Sequence, residues 1–413
     1  MIEYDKIPQF SPFCLSCLGR CVGRVGFGID NRERGIELLN LFDLNTDILN
    51  GDNLICEPED CSICEGLMSE VDDFIDIVVK EISDYSINSF KIGSIIDVDI
   101  KDRESSFHSI FDCDSEYLKS QLNREIGRGV HDKSKLDVVM DYPDAVAIID
   151  TRYNTVQLEI KSLFIEGNYN KFDRTIPQTR WPCSKCKGLG CRDCGNTGQL
   201  YSDSVQSLIS MKFIEISGAE EDLFHGMGRE DIDAAMLGNG RPFVLELRRP
   251  KLRNLNLEHL SEQINQKFGK RIKVHGLKHV KRHRVAELKN TVCEKSYRVD
   301  VSIQNGISIE SLKKGAQKLT GAVVEQRTPT RVSHRRADLI RSRLINYVDV
   351  KSYSEGFAEL EIRAQHGTYI RELVSGDDGR TEPSLSSLVA SACKVEVLDV
   401  LDLHLKSSEE KNV

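Results

Sequence analysis

The stretch FHGMGREDIDAAMLGNGRPFVLEL, Phe224 to Leu247, decides how the rest of the chain is read. Glycines at 226, 228, 238 and 240 surround Arg229 and three acids, Glu230, Asp231 and Asp233, and the segment runs into the alternating apolar run Phe243 to Leu247. That alternation predicts a strand, and the glycines predict a loop carried on it. Glycine lets a backbone approach a ligand closely, and a carboxylate beside an arginine stays ionised and oriented, so such a loop can present one carboxylate to a substrate. The residues alone allow an equally simple reading, a solvated acidic loop ahead of a core strand.

A chain of 413 residues is too long for one ordinary core, so two or three domains are expected, and 39% hydrophobic with 29% charged residues is ordinary for a globular protein. The N-terminal MIEYDKIPQF lacks a basic region followed by an apolar one, and no apolar run is long enough to span a bilayer. The expectation is a cytoplasmic protein with no membrane partner. The net charge of −9 hides an asymmetry: from Arg248 to Lys289 there are 13 Lys or Arg against 3 Asp or Glu, with His259, His275, His279 and His283 among them. Attraction to phosphate is local, screened within about 8 Å at physiological salt, so this stretch predicts contact with nucleic acid on an otherwise acidic chain.

Thirteen cysteines in a reducing compartment point to metal rather than disulfides. Cys14-x-x-Cys17 and Cys61-x-x-Cys64 supply four thiolates that can close on a structural zinc; Cys21 and Cys56 also lie near ligand spacing, but the paired knuckles match each other. A second set, Cys183, Cys186, Cys191 and Cys194, has a four-residue spacer and glycines that permit tight turns, so one or two zinc ions are expected. Glycines 23, 26 and 28 suggest a loop and make a poor dinucleotide fingerprint, and no nucleotide cofactor is expected.

Between these sets, Arg32 to Phe42 and the stripe Leu67, Val71, Phe74, Ile75, Val78, Val79 and Ile82 predict helices. Strands are expected near 90–98, 145–150 and 156–165, and a polar helix near 117–126, which together make an α+β domain. From Ser204 on, helices near 205–213, 257–268 and 309–319 alternate with strands at 243–247, 272–277, 297–303, 322–326, 347–351 and 358–363. That pattern suits a large mixed or antiparallel sheet with packed helices.

The motif GREDxDxxxLGNGRPF resembles a signature of the archaeal and eukaryotic Pus-ten family of tRNA pseudouridine synthases. Further motifs follow in family order: Lys295-Ser296-Tyr297, the QRTPTRVSHRR run at 326–336, Gly367-Thr368-Tyr369-Ile370-Arg371, and Gly376-Asp377 through Gly379-Arg380-Thr381 to Pro383. The resemblance implies a zinc-containing N-terminal segment (1–66), a THUMP-like RNA-binding domain (67–178), an inserted zinc knuckle (179–200) and a pseudouridine synthase catalytic domain (201–413). It implies isomerisation of T-arm uridines at tRNA positions 54 and 55, with the base flipped out of the stack and no catalytic cofactor.

In that family's register, R-x-D, Asp231 is the essential carboxylate, which attacks covalently or promotes departure of the base. The resemblance further implies that Tyr297 stacks on the uracil, that Tyr369 holds it from another side and that Arg371 keeps Asp231 ionised, with Arg229 and Lys295 completing the substrate-binding set. The competing expectation is a noncatalytic zinc-containing tRNA-binding factor, which needs the knuckles and the basic stretch but not one carboxylate, two tyrosines and an arginine at family spacing.

Overall fold

The computed structural model describes residues 4–24, 28–41, 54–111, 113–304, 306–333 and 337–405. Gly26, Phe42 and the last three residues of the 326–336 motif lie outside them. The chain divides into two units, one of residues 1–162 with 249–254, the other of 163–248 with 255–413.

In the first unit, strands β1 (Phe13–Cys14) and β2 (Ile55–Cys56) pair in parallel beside helices α1 (Leu15–Arg20) and α2 (Asn31–Leu41). A four-stranded sheet follows in the order β4 (Asp137–Val138), β3 (Ser89–Ile95), β5 (Ala145–Asp150), β6 (Thr155–Ile160). Helix α3 (Val71–Ile82) buries the core of the expected stripe, with Phe74, Ile75, Val78 and Ile82 turned inward, while Leu67 lies in the turn ahead of it. Helices α4 (Val98–His108) and α5 (Leu118–Ser134) complete the unit. The cysteine knuckles share one hydrophobic cluster with Phe74, Phe90, Phe107 and Leu122, so the packing draws no line at residue 66.

Arg20 explains much of that continuity. Its fully buried guanidinium donates to Cys17 Sγ at 3.1 Å, Glu104 Oε1 at 3.0 Å and Gln121 Oε1 at 3.1 Å, tying α1 to α4 and α5. A buried guanidinium is tolerated only when its N–H groups find such partners.

In the second unit, the described strands are β7 (Leu163–Lys171), β8 (Glu221–Gly226), β9 (Ala235–Arg248), β10 (Ile272–Val280), β11 (Glu294–Ile303), β12 (Val323–Arg327), β13 (Ile340–Ser354), β14 (Phe357–Ala364), β15 (Thr381–Glu382) and β16 (Cys393–His404). They form one sheet in the order β10-β7-β9-β16-β11-β14-β13-β12-β15, with β8 also on β9. Only the β9–β16 step among them is parallel, which makes the sheet mixed as expected. Helices α6 (Val205–Ser217), α7 (Leu257–Phe268), α8 (His283–Asn290), α9 (Ile309–Leu319), α10 (Ile370–Ser375) and α11 (Leu385–Val389) complete it.

Two differences from the sequence reading matter for function. The run expected as one strand over 156–165 is two, and the second, β7, pairs with β9 and β10; its residues lie in the second unit, ahead of the expected boundary at 178. The glycine-rich 235–241 is strand rather than loop, because β9 begins at Ala235. Gly238 and Gly240 have positive φ, and a Cβ on either would meet the Leu401 carbonyl oxygen at 2.0 Å or that of Tyr169 at 2.7 Å. These glycines let β9 bend between two neighbouring backbones.

Candidate active site

Residues 227–234 connect β8 to β9, and 228–234 line the wall of a cavity of about 790 Å³. The connection is held from below by buried polar groups. Glu230, unexposed, pairs with Arg241 Nε at 2.8 Å and accepts from the Tyr169 hydroxyl at 2.9 Å. Arg241 also donates to the Met227 carbonyl at 2.8 Å, and Gln178 to that of Gly228 at 3.0 Å. Lys171, fully buried at the end of β7, spends its ammonium on the carbonyls of Ile232 (2.7 Å), Asp231 (3.2 Å) and Ile176 (3.2 Å). Arg174 donates to the Asp233 carbonyl at 3.0 Å and pairs with buried Asp399, which also accepts from Ala235 N–H at 3.1 Å. Burial alone would raise the Asp399 carboxyl, but Arg174 and the Ala235 N–H hold it below its ordinary value. The backbone of the acidic segment is thus clamped by carbonyl hydrogen bonds, which leaves its side chains for other work.

Asp231 and Asp233 both project outward, 44% and 60% exposed. Arg331 Nη1 lies 3.5 Å from Asp231 Oδ2 and Arg371 Nε 3.8 Å from the same oxygen, while Arg371 Nη2 bonds Asp233 Oδ2 at 2.6 Å. Arg331 is in turn anchored on buried Glu372 at 2.7 Å. Arg371, expected beside Asp231, therefore bonds Asp233 more closely, and Arg331 is the nearer guanidinium to Asp231. Arg229, expected in the same set, lies with its guanidinium 4.6 Å over the Trp181 ring.

Tyr297, Tyr369, Lys295 and His366 line the same cavity. Tyr297 sits on β11, mostly buried, and burial pushes its phenol up to about 12, so it stays protonated. Burial, then the charge of Arg241, bring the Lys295 ammonium down to about 8. Tyr369 caps α10, and its backbone N–H and C=O both bond the side chain of Gln326, at 2.8 and 2.9 Å. The cavity brings together all six residues expected from sequence: Asp231, Tyr297, Tyr369, Arg371, Arg229 and Lys295. The sequence reading assigned no role to Arg331, although it lies in a quoted motif, nor to Tyr169, Lys171, Arg174 or Asp399. Their signal was faint: two residues on a strand whose neighbouring positions are as polar, an arginine just after it, and a carboxylate far downstream.

The eight expected cysteines form two groups whose sulfurs all lie within 4.8 Å of one another, Cys14, Cys17, Cys61 and Cys64, and Cys183, Cys186, Cys191 and Cys194. Zinc at 2.3 Å from four sulfurs sets them about 3.8 Å apart. Contacts of 3.5 Å (Cys14–Cys17) and 3.4 Å (Cys17–Cys61) in the first group, and 3.9 Å (Cys183–Cys191, Cys186–Cys194) and 3.7 Å (Cys191–Cys194) in the second, fit that geometry. Backbone N–H groups of Cys14, Gly190 and Cys191 point at sulfurs at 3.2 Å, the pattern that supports thiolates. Cys21 instead donates to the Cys17 carbonyl, and both it and Cys56 fall outside the groups. No helix among the described residues is long and apolar enough to cross a membrane.

Comparison with known proteins bears on these observations. A family model described as "Pus10, C-terminal" matches residues 164–404, and one described as "Pus10 THUMP domain, archaeal" matches 74–150. The protein named "tRNA pseudouridine synthase Pus10" in Methanothrix thermoacetophila is 36% identical, covering 96% of this chain and 93% of its own. Those of the same name in Methanocaldococcus jannaschii (38%; 92% and 84%) and Thermoplasma acidophilum (35%; 98% and 99%) are similar to the same degree. A chain in the structure titled "Crystal Structure of a Cbf5-Nop10-Gar1 Complex" aligns over 59% of this chain and 50% of its own, at TM-score 0.34 and 12% identity, a likeness that adds nothing further.

Proposed function

The chain belongs to the Pus10 family of tRNA pseudouridine synthases, and on that premise we propose that its cavity isomerises T-arm uridines of tRNA, positions 54 and 55, with Asp231 as the essential carboxylate. The observation that carries the reading is one exposed carboxylate set between two guanidinium groups, Arg331 and Arg371, in a cavity that also holds two tyrosines and a buried lysine. The reaction breaks the bond from N1 of uracil to C1′ of the ribose, forms one from C5 to C1′, and moves the C5 proton off the new carbon as N1 takes one up. Atoms and electrons balance within the nucleotide, so no redox partner or nucleotide cofactor enters, and a tRNA substrate puts the enzyme in the cytoplasm.

The two guanidinium groups, 3.5 and 3.8 Å from Asp231, hold that carboxylate in place on the cavity wall. Tyr297 stacks against the uracil as a neutral phenol, Tyr369 bounds the base from the α10 side, and Lys295 and Arg229 bind the surrounding nucleotide. The target must leave its stack to reach Asp231, and exposed basic residues on β10 and α8 hold the backbone while it does. THUMP residues 74–150 add a second RNA contact. Limits near 66 and 200 remain the proposed functional division, while residues 163–178, which hold the acidic segment, belong with the catalytic part. The two cysteine groups hold one structural zinc each, supplying folding free energy and no catalytic step.

The test is incubation of the pure protein with an unmodified tRNA transcript and no added cofactor, followed by mapping of pseudouridine. Modification at 54 and 55 is expected; modification confined to another arm would overturn the T-arm reading, and none at all would overturn the enzymatic one.

A further inference from the structure

Trp181, the one tryptophan of the chain, lines the same cavity as Asp231 and stands in the neck of the second cysteine loop. Its carbonyl accepts the Leu200 N–H at 2.8 Å, Pro182 and Gln199 form a bridge, and the Cys183 N–H bonds the Gly198 carbonyl at 2.8 Å. A short antiparallel ladder therefore fixes the backbone that carries the ring. Tyr201, also on the cavity wall, meets it edge-on with centroids 5.6 Å apart, and the Arg229 guanidinium lies 4.6 Å over its face. The indole is only half-buried.

A cavity of about 790 Å³ falls in the range that encloses a ligand of several rings, more than one pyrimidine needs. Tyr297 and Tyr369 already account for the target base. Arg229 precedes Asp231 by two residues, and the indole beneath it lines the same cavity as that carboxylate. We propose that Trp181, braced by Tyr201, is a stacking platform for the nucleobase adjoining the target uridine, and that the base takes the indole face that Arg229 covers in the free protein as that guanidinium moves to the nucleotide's phosphate. When a base flips out, its neighbour loses a stacking face, and an indole replaces it without regard to sequence. The proposal rests on the RNA-modifying reading of this cavity.

The single tryptophan makes the platform directly observable. With the Asp231→Asn protein, titration of a tRNA transcript quenches the fluorescence of Trp181, and acrylamide then quenches the remainder less than in the free protein. Trp181→Ala raises Kd about tenfold, within the range that base–aromatic stacking gives on alanine substitution, and raises KM more than it lowers kcat, whereas Trp181→Phe recovers most of both. Ligated tRNAs with an abasic nucleotide on one side or the other of the target report which neighbour stacks: one of the two loses the quench. Unchanged fluorescence under saturating RNA, a quench that neither abasic tRNA removes, or an unchanged Kd in Trp181→Ala overturns the platform. Wild-type pseudouridine formation is measured on the same transcript, so a failed platform with intact turnover is distinguished from failure of the enzymatic reading itself. Circular dichroism of Trp181→Ala excludes simple misfolding.

Discussion

Arg371 bonds Asp233 at 2.6 Å and approaches Asp231 only to 3.8 Å, yet the proposed role falls on Asp231. The two carboxylates differ in what surrounds them. Asp231 has two guanidinium groups near one of its oxygens and stands in the R-x-D register, while Asp233 is the more exposed and pairs with one arginine. Asp231→Asn keeps the shape and removes the charge, and is expected to lower turnover roughly 10³-fold or more while leaving tRNA affinity nearly intact. Asp233→Asn removes a largely exposed ion pair, which contributes about 0–1 kcal/mol, so turnover falls no more than about fivefold. Single-turnover pseudouridine assays separate the two, and an active Asp231→Asn protein, checked for deamidation, would sink the assignment. Lys295 carries a second expectation. Its ammonium titrates near 8, and above that it loses the charge that attracts phosphate, so tRNA affinity of the Asp231→Asn protein declines between pH 7 and 9. Lys295→Arg stays charged throughout and flattens that decline; an identical pH profile in the variant would assign the effect elsewhere.

Two helices with an apolar stripe were legible to the residue: α7 and α9 run over 257–268 and 309–319 as the spacing predicts. Helix α4 was missed because its inner face is partly polar. It buries Glu104 and His108 beside Ile100 and Phe107, and Glu104 is there to pair with Arg20. Periodicity in apolar residues cannot reveal an ion pair between elements 84 positions apart. The same contrast separates the cysteine elements. The spacing identified both groups, but not that the first lies inside a hydrophobic cluster and the second in a largely exposed loop. Elemental analysis is expected to find two zinc ions per chain, falling to one in Cys61→Ser with Cys64→Ser and to one in Cys191→Ser with Cys194→Ser. Calorimetry should lower the melting temperature by more than about 5 °C for the first pair, since losing even 2 kcal/mol shifts a domain of this size by roughly that much, and by less for the second. Equal shifts would mean that the core placement of the first group does not matter to stability.

At the scale of the molecule, the most basic stretch of an acidic chain is not one surface. Arg249, Lys251 and Arg253 belong to the first unit, where Arg249 donates to the Leu158 carbonyl and the Tyr85 hydroxyl, Lys251 pairs with Asp84, and Arg253 donates to the Lys161 carbonyl. Those cations serve the fold. Lys278 lies on β10, and Lys281 and Arg282 between it and α8, in the second unit, all exposed, with Lys278 near Glu166 at 3.4 Å. Counting charges along the sequence could not separate the groups, because the division depends on which acids and carbonyls the fold brings near each cation. The two sets therefore predict opposite phenotypes. Replacing Lys278, Lys281 and Arg282 with Ala should weaken tRNA binding and reduce the slope of log Kd against log salt by roughly two to three, about one unit per lost phosphate contact, with thermal stability nearly unchanged. Replacing Arg249, Lys251 and Arg253 should lower thermal stability and leave the salt slope within about one unit. Titrations across 50–200 mM salt, paired with melting curves for both triple variants, decide it: an unchanged slope in the first triple would mean that those charges only face solvent, and that the RNA backbone is held elsewhere on the chain.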